Sequence, residues 1–236
     1  MPDLLTEPTA ELAVGLAIAL GREINAGDEI VRSGSFSGWR PILYGTGLDR
    51  STVAIVGMGA VGRAIARRLS GFGCRILGID PGGDVPPGIE RSELAQALPV
   101  ADFVILALPL TVDTHHLVGE PALKATKPGA LFVNVGRGSV VDEEAVADAL
   151  EAGRLGGYAA DVFEFEDWAL PGRPGTVASR LRLHPRTVFT PHLGSAVDRV
   201  RREIAMRAAD DIADVLAGRA PRDAVNSPRP SARRAG

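Results

Sequence analysis

Cysteine, aromatic side chains and net charge are all scarce in this chain. A single cysteine, Cys74, among 236 residues excludes an intramolecular disulfide framework and a cysteine-cluster zinc site, and it suits a reducing compartment. Lysine and arginine (26) nearly balance aspartate and glutamate (29), leaving −3. No chain-wide basic field therefore recruits nucleic acid or an anionic membrane. Long apolar runs are missing too. Residues 12–21 reach about half of the roughly twenty residues a bilayer span needs. Asp3 and Glu7 precede them without any Lys or Arg, unlike the basic start of a secretory signal. No HExxH or Cys/His spacing points to a metal. The expectation is a cytoplasmic protein with no metal, no nucleic-acid partner and no membrane partner.

What the chain does have is 45% apolar residues and 28 glycines, in a length of about one and a half ordinary domains. The spacing predicts a long helix over 6–32, N-capped by Thr6 or Thr9, with Leu12, Leu16 and Leu20 on one face. A loop over 36–47 carries Trp39, Pro41 and Tyr44. Then short apolar runs alternate with helical ones. Strands are expected at 52–56, 75–79, 103–108, 130–135, 158–162 and 187–190, and helices at 60–72, 92–98, 119–125 and 142–152. Residues 167–186 read as a loop and 198–217 as an amphipathic helix stopped by Gly218. Strands without polar alternation are buried on both faces, so the fold class is α/β, a Rossmann-type doubly wound parallel sheet.

Gly57-Met-Gly59-Ala60-Val61-Gly62 is a G-x-G-x-x-G run that follows a strand and opens a helix. Asp80 closes the next strand, near the expected spacing of roughly 20 residues. Gly57 permits the tight turn, Gly59 leaves room for a pyrophosphate, and Gly62 lets helix and strand approach. The helix N-terminus offers unpaired N–H groups to phosphate. Asp80 should take a ribose hydroxyl and repel a 2′-phosphate, so the expected cofactor is NAD rather than NADP.

Three further segments fall where loops leave the strands' C-terminal ends. Arg137, between two glycines, offers a planar cationic fork to a carboxylate or phosphorus oxyanion. Glu166 lies in an acidic run, and His192 in Thr190-Pro-His192. A carboxylate beside a histidine orients the ring and supports a general base. Taken singly, each is an ordinary surface feature; on a cofactor fold, they form a candidate catalytic set. Adjacent His115 and His116 are expected to point apart, and His184 sits in a Pro/Arg-rich loop.

With these motifs, the chain resembles the NAD-dependent D-isomer-specific 2-hydroxyacid dehydrogenase family. Within it, residues 39–47, 107–118, 157–168 and 190–196 are similar to the phosphite (phosphonate) dehydrogenases, because Asp167-Trp168 follows Glu166 where most of the family has proline. The similarity spans residues 2–225. It implies that Arg137 grips the anion, that His192 is the base or orients a water, and that Glu166 pairs with His192. Leu5, Trp39, Tyr44 and Ser195 would line the substrate pocket. Thr9, Ala107, Leu108, Pro109, Val135 and Asp161 would join Gly57, Gly59, Ala60, Val61, Gly62 and Asp80 around the cofactor. The implied reaction oxidises phosphite to phosphate. A D-2-hydroxy acid such as glycerate or lactate as substrate, and a non-catalytic NAD-binding module, are the alternatives.

Family members carry about a hundred residues, roughly one folded lobe, ahead of the segment matched by Met1. The resemblance therefore implies a shortened chain that binds NAD with little turnover. It divides into a substrate-domain remnant (1–5), the NAD-binding domain (6–190), a C-terminal return toward the substrate domain (191–218) and a disordered tail (219–236). The arm of residues 6–32 and its following loop imply a homodimer.

Overall fold

The computed structural model describes residues 2–82 and 85–224. Helices α1 (Pro2–Gly21) and α2 (Ile24–Arg32) precede a loop. Then follow β1 (Thr52–Val56), α3 (Ala60–Leu69), β2 (Arg75–Ile79), β3 (Glu90–Arg91), α4 (Leu94–Ala97), β4 (Phe103–Leu106) and α5 (Glu120–Ala125). The chain continues through β5 (Leu131–Asn134), α6 (Glu143–Glu151), β6 (Gly157–Ala160), α7 (Ser179–Arg182), β7 (Thr187–Phe189) and α8 (Asp198–Leu216). All strands pair in parallel, in the order β3-β2-β1-β4-β5-β6-β7.

The lack of alternation in the strands has its cause here. β4, β5 and β6 are buried along their whole length. Successive side chains of a strand point to opposite faces, and both faces are covered. Val53 and Ile55 join Ala10, Leu16, Leu20 and Ile65 on the side of α1 and α3. Ala54 and Val56 join Phe132, Val146, Leu150 and Tyr158 on the side of α6. The chain runs outward from β1 through β2 and β3, then returns to β4 on the other side of β1. The crevice at the C-terminal ends of β1 and β4 is the switch point where ligands bind in such sheets.

The expected helix over 6–32 is instead two helices. The Gly21 carbonyl accepts a hydrogen bond from Thr46 N at 2.8 Å, and a Cβ on Gly21 would lie 2.6 Å from Thr46 O. The returning loop therefore takes the carbonyl that would have continued the helix. Glu23 follows at φ 53, tied to Arg186 Nη1 at 2.5 Å. Because α1 already begins at Pro2, Thr6 and Thr9 lie within it and neither is its N-cap. Residues Leu4–Gly21 are long and apolar enough, by length and composition, to cross a bilayer, a longer stretch than residues 12–21. In the fold, Ala10, Ala13, Leu16, Ala17 and Leu20 are buried on the sheet and α3.

Two short elements escape the sequence pattern. β3 pairs only Glu90 and Arg91 with β2, and α7 lies inside the expected 167–186 loop. Helix α8 buries Val200 alone, while Met206, Ile212, Val215 and Leu216 are exposed. Residues 219–224, expected as the start of a disordered tail, are tied to α8. Arg219 pairs with Asp214 at 2.6 Å, Asp223 with Arg207 at 2.9 Å, and Arg222 N donates to Asp211 at 2.8 Å. Residues 225–236 of that tail, and Met1 of the 1–5 remnant, lie outside the described residues.

Candidate active site

The glycine run forms the β1–α3 turn. Gly57 has φ +95, and a Cβ on it would meet Ala107 O at 2.6 Å; a Cβ on Gly62 would meet Gly57 O at 1.9 Å. Only glycine lets the loop, α3 and the β4 loop come this close. Gly59, by contrast, faces open space and is exposed, which is the clearance a pyrophosphate needs. Ala60 and Val61 form the first turn of α3, and its N-terminus turns toward the crevice. A cleft of about 580 Å³ runs along this edge, lined by Gly57, Gly59, Asp80, Ala107, Leu108 and Pro109 among others. These residues fit a bound dinucleotide.

Asp80 holds the turn as well as facing the cleft. One carboxylate oxygen accepts from Met58 N at 2.8 Å and the other from Gly82 N at 2.9 Å. Glu93 and Asp113 also line the cleft, and no Lys or Arg does among the residues lining it. The lining of the cleft is thus acidic.

At the C-terminal ends of β6 and β7, the structure brings Glu166 and His192 together. Glu166 Oε2 lies 2.6 Å from His192 Nδ1. The other oxygen, Oε1, accepts from Phe163 N at 2.9 Å, so the short 3₁₀ turn Glu164–Glu166 fixes the carboxylate. With Nδ1 occupied, Nε2 is the ring nitrogen left for a ligand. His192 has φ 56, a strained conformation for a side chain bearing a Cβ, and its side chain is 56% exposed.

Asp161 sustains that strain. It is buried, and its carboxylate accepts from Thr190 Oγ1 (2.6 Å), Leu193 N (2.6 Å) and Gly194 N (2.8 Å). Its carbonyl accepts from His192 N at 3.0 Å. Thr9 Oγ1, from α1, donates to Gly194 O at 3.2 Å. Thr9 and Asp161, expected at the cofactor, thus hold the histidine loop from two sides. Ser195 sits half-buried just beyond.

Arg137 projects from the next loop, after β5, and is exposed. Its Nη1 donates to Gly136 O at 2.7 Å. Beneath it, fully buried Asn134 accepts from Gly136 N and donates to Arg137 O, both at 3.0 Å. Val135 is buried alongside. A Cβ on Gly136 would lie 2.6 Å from Leu108 O, so this loop abuts the wall of the cofactor cleft. Trp39 and Tyr44, expected at the substrate, stand 90% and 82% exposed on the loop after α2, and Leu5 is partly exposed on α1.

His115 and His116 do not point apart. Their rings stack with centroids 4.0 Å apart, because His116 adopts φ 50 and its ring is held by the Glu164 carboxylate. Burial pushes the Glu164 carboxyl up, with His116 pulling the other way. Behind Glu164 lies Glu143, buried at the start of α6, whose Oε1 accepts from Glu164 N at 2.9 Å. Burial pushes the Glu143 carboxyl up to about 7. The sequence assigns no role to Asn134, Glu143 or Asp167. Asn134 is findable as a polar residue closing an apolar strand, and Asp167 stands out only as the residue after Glu166; Glu143 sits among ordinary surface-like acids and carries no such signal.

Residues 14–194 match the family described as D-isomer specific 2-hydroxyacid dehydrogenase, NAD binding domain. Glyoxylate reductase of Thermococcus litoralis is 36% identical over 234 residues, 95% of this chain and 68% of that protein. A solved structure of a protein from Thermus thermophilus superposes with a TM-score of 0.86 at 38% identity, over 95% of this chain and 70% of that one. A glyoxylate reductase structure from Paecilomyes thermophila superposes with a TM-score of 0.79 at 28% identity, over 90% of this chain and 63% of that one. These matches support the wider family resemblance drawn from the sequence and not the narrower one to phosphite dehydrogenases.

Proposed function

Because the chain belongs to the D-isomer specific 2-hydroxyacid dehydrogenase family, we propose that it interconverts a small 2-hydroxy acid and its 2-oxo acid with NAD, the glycolate–glyoxylate pair foremost. The observation that carries this reading is the His192–Glu166 pair at 2.6 Å, one strand from Arg137 at the sheet edge that bears the cofactor cleft. NAD supplies the hydride acceptor. Arg137 donates to the substrate carboxylate as a fork, which places C2 and its hydroxyl toward His192. As C2 gives up its hydride, His192 Nε2 takes the hydroxyl proton, and the Glu166 carboxylate on Nδ1 stabilises the imidazolium that forms. In reduction, the same imidazolium returns its proton to the carbonyl oxygen. The name glyoxylate reductase borne by the T. litoralis relative supports a two-carbon substrate.

A second reading, oxidation of phosphite, is motivated by the turn bearing Glu166, where Asp167-Trp168 follows the glutamate and Trp168 is covered by a guanidinium. Arg173 Nε donates to Phe165 O at 2.9 Å, and its guanidinium lies 4.6 Å from the Trp168 ring centroid. His192 would then take a proton from the water attacking phosphorus, giving phosphate while the P–H hydride leaves for NAD.

Calorimetric NAD titration, alone and with oxalate or phosphite, together with spectroscopic NADH assays, separates these readings. The expected result is saturable NAD binding tightened by oxalate, with glyoxylate consuming NADH. NADH formation from phosphite alone moves the assignment to the second reading. NAD binding indifferent to every anion, without turnover, leaves only a cofactor-binding module. The same titrations test the acidic cleft: Asp80→Asn drops the charge while keeping one oxygen acceptor, enough for only one of Met58 N and Gly82 N, and should shift the NAD-over-NADP preference about tenfold toward NADP. An unchanged ratio would show that Asp80 plays no part in cofactor choice. The exposed Phe36, Trp39 and Tyr44 support a homodimer through this loop, which sedimentation tests.

A further inference from the structure

The loop bearing Arg137 and the turn bearing Glu166 come from different strands, yet they are stitched together. Ser139 N donates to Asp167 Oδ2 at 2.7 Å. Glu164 N, three residues before Asp167, donates at 2.9 Å to Glu143 Oε1, four residues after Ser139. Just ahead of both spans Gly138 presses on the turn: a Cβ there would lie 1.9 Å from the Phe163 carbonyl carbon. His116 N donates to Ser139 O at 2.8 Å, which completes the hold on the Arg137 loop.

Glu166 and Asp167 are consecutive carboxylates facing opposite ways. Glu166 reaches His192; Asp167 reaches the amide two residues past Arg137. On the near side of Arg137, Asn134 pins Gly136 N and Arg137 O. Arg137 is therefore fixed from below by its own strand and from the side by the turn that carries the acid–base pair.

We propose that Asp167 is a positioning residue, which sets the Arg137 fork in register with the Glu166–His192 pair so that one anion is gripped and deprotonated at once. The assignment rests on the catalytic reading above. A charge-assisted hydrogen bond to a partly buried amide is among the stronger local restraints, and an anion held by a misplaced fork loses its bidentate geometry.

The test uses the NAD-loaded protein with oxalate as the anion. Asp167→Ala should weaken oxalate binding about tenfold, the size expected for one lost charge-assisted bond, while NAD affinity stays within about twofold. Amide hydrogen exchange should accelerate at Ser139 and, because the turn is loosened with it, at Glu166. Asp167→Asn, whose amide oxygen can still accept from Ser139 N, should recover most of the oxalate affinity, and it serves if the alanine variant folds poorly. Unchanged oxalate affinity in the alanine variant, despite faster Ser139 exchange, overturns the proposal, because the contact would then be merely structural. Should the wild-type protein bind no oxalate, the catalytic reading fails, and exchange decides the positioning claim by itself. Acceleration at both amides upholds the coupling of loop and turn; acceleration at Ser139 alone overturns it.

Discussion

Replacing His192 by asparagine is expected to lower turnover by about 10²–10⁴-fold, the range for loss of a positioned general acid–base, or roughly 3–5 kcal/mol of transition-state stabilisation. Asparagine keeps a polar side chain on a loop whose backbone is held elsewhere. Leu193 N and Gly194 N still donate to Asp161, and Thr9 still donates to Gly194 O. The loss should therefore fall on kcat and leave NAD affinity alone. Glu166→Gln should behave differently, since it removes the charge that balances the imidazolium while keeping an acceptor for Phe163 N. Its kcat should fall less than that of the histidine variant, and the double variant should be little worse than His192→Asn, as for residues that act as a unit. Steady-state kinetics on the three variants, with NAD binding measured in parallel, checks this. An asparagine variant with wild-type kcat would remove His192 from the chemistry.

The second large effect is on stability and its pH dependence. Burial, the first cause of the Glu143 shift, lifts its carboxyl from 4.5 to about 7. Between those values, the folded chain holds a proton that the unfolded chain releases. Stability therefore falls as pH rises through this window and levels off above it. At about 1.4 kcal/mol per unit, the full loss is about 3 kcal/mol. The groups facing Glu143 make it worse or only soften it. Glu144 on its own helix and Glu164 and Glu166 on the turn are acidic, and the buried Tyr158 hydroxyl is itself pushed up by burial beside it. Only the Glu164 N–H favours the charged form. Glu143→Gln keeps an acceptor for that N–H and never ionises. It should match the wild type near pH 4.5 and exceed it by up to about 3 kcal/mol above pH 7, read from urea unfolding across the range. Parallel curves for the two proteins would show that Glu143 titrates normally.

The parts of the molecule legible in the sequence are those decided by local pattern. Strands β1, β2, β4 and β5 are short apolar runs because burial on both faces leaves polar residues only at their ends. The glycine turn and Asp80 were legible because phosphate clearance and close helix approach restrict residue choice at fixed spacings. The split between α1 and α2 was not, since the Gly21 carbonyl is taken by Thr46, a partner 25 residues away that no helical period reveals. The same holds at the site. Glu166 and His192 could be suspected from residue type, but the roles of Asp161, Glu143 and Asp167 depend on which backbone amides reach their carboxylates, and that is set by strand order. The stacking of His115 on His116 depends on one left-handed φ, a backbone choice that the dipeptide does not announce.

The hydrogen bond from Thr9 to Gly194 joins residues 185 positions apart, and this separation has a temporal consequence. At about 5–20 residues per second, a ribosome that has delivered α1 needs about 7–28 s more to deliver β5 and β6, against which part of the buried face of that helix lies. During this interval Leu16 and Leu20 are without their final neighbours, a natural target for a chaperone that grips greasy nascent segments. Long-range closures also arrive last in folding. A translation product stalled just short of residue 190 can already possess its nucleotide crevice, yet it lacks His192.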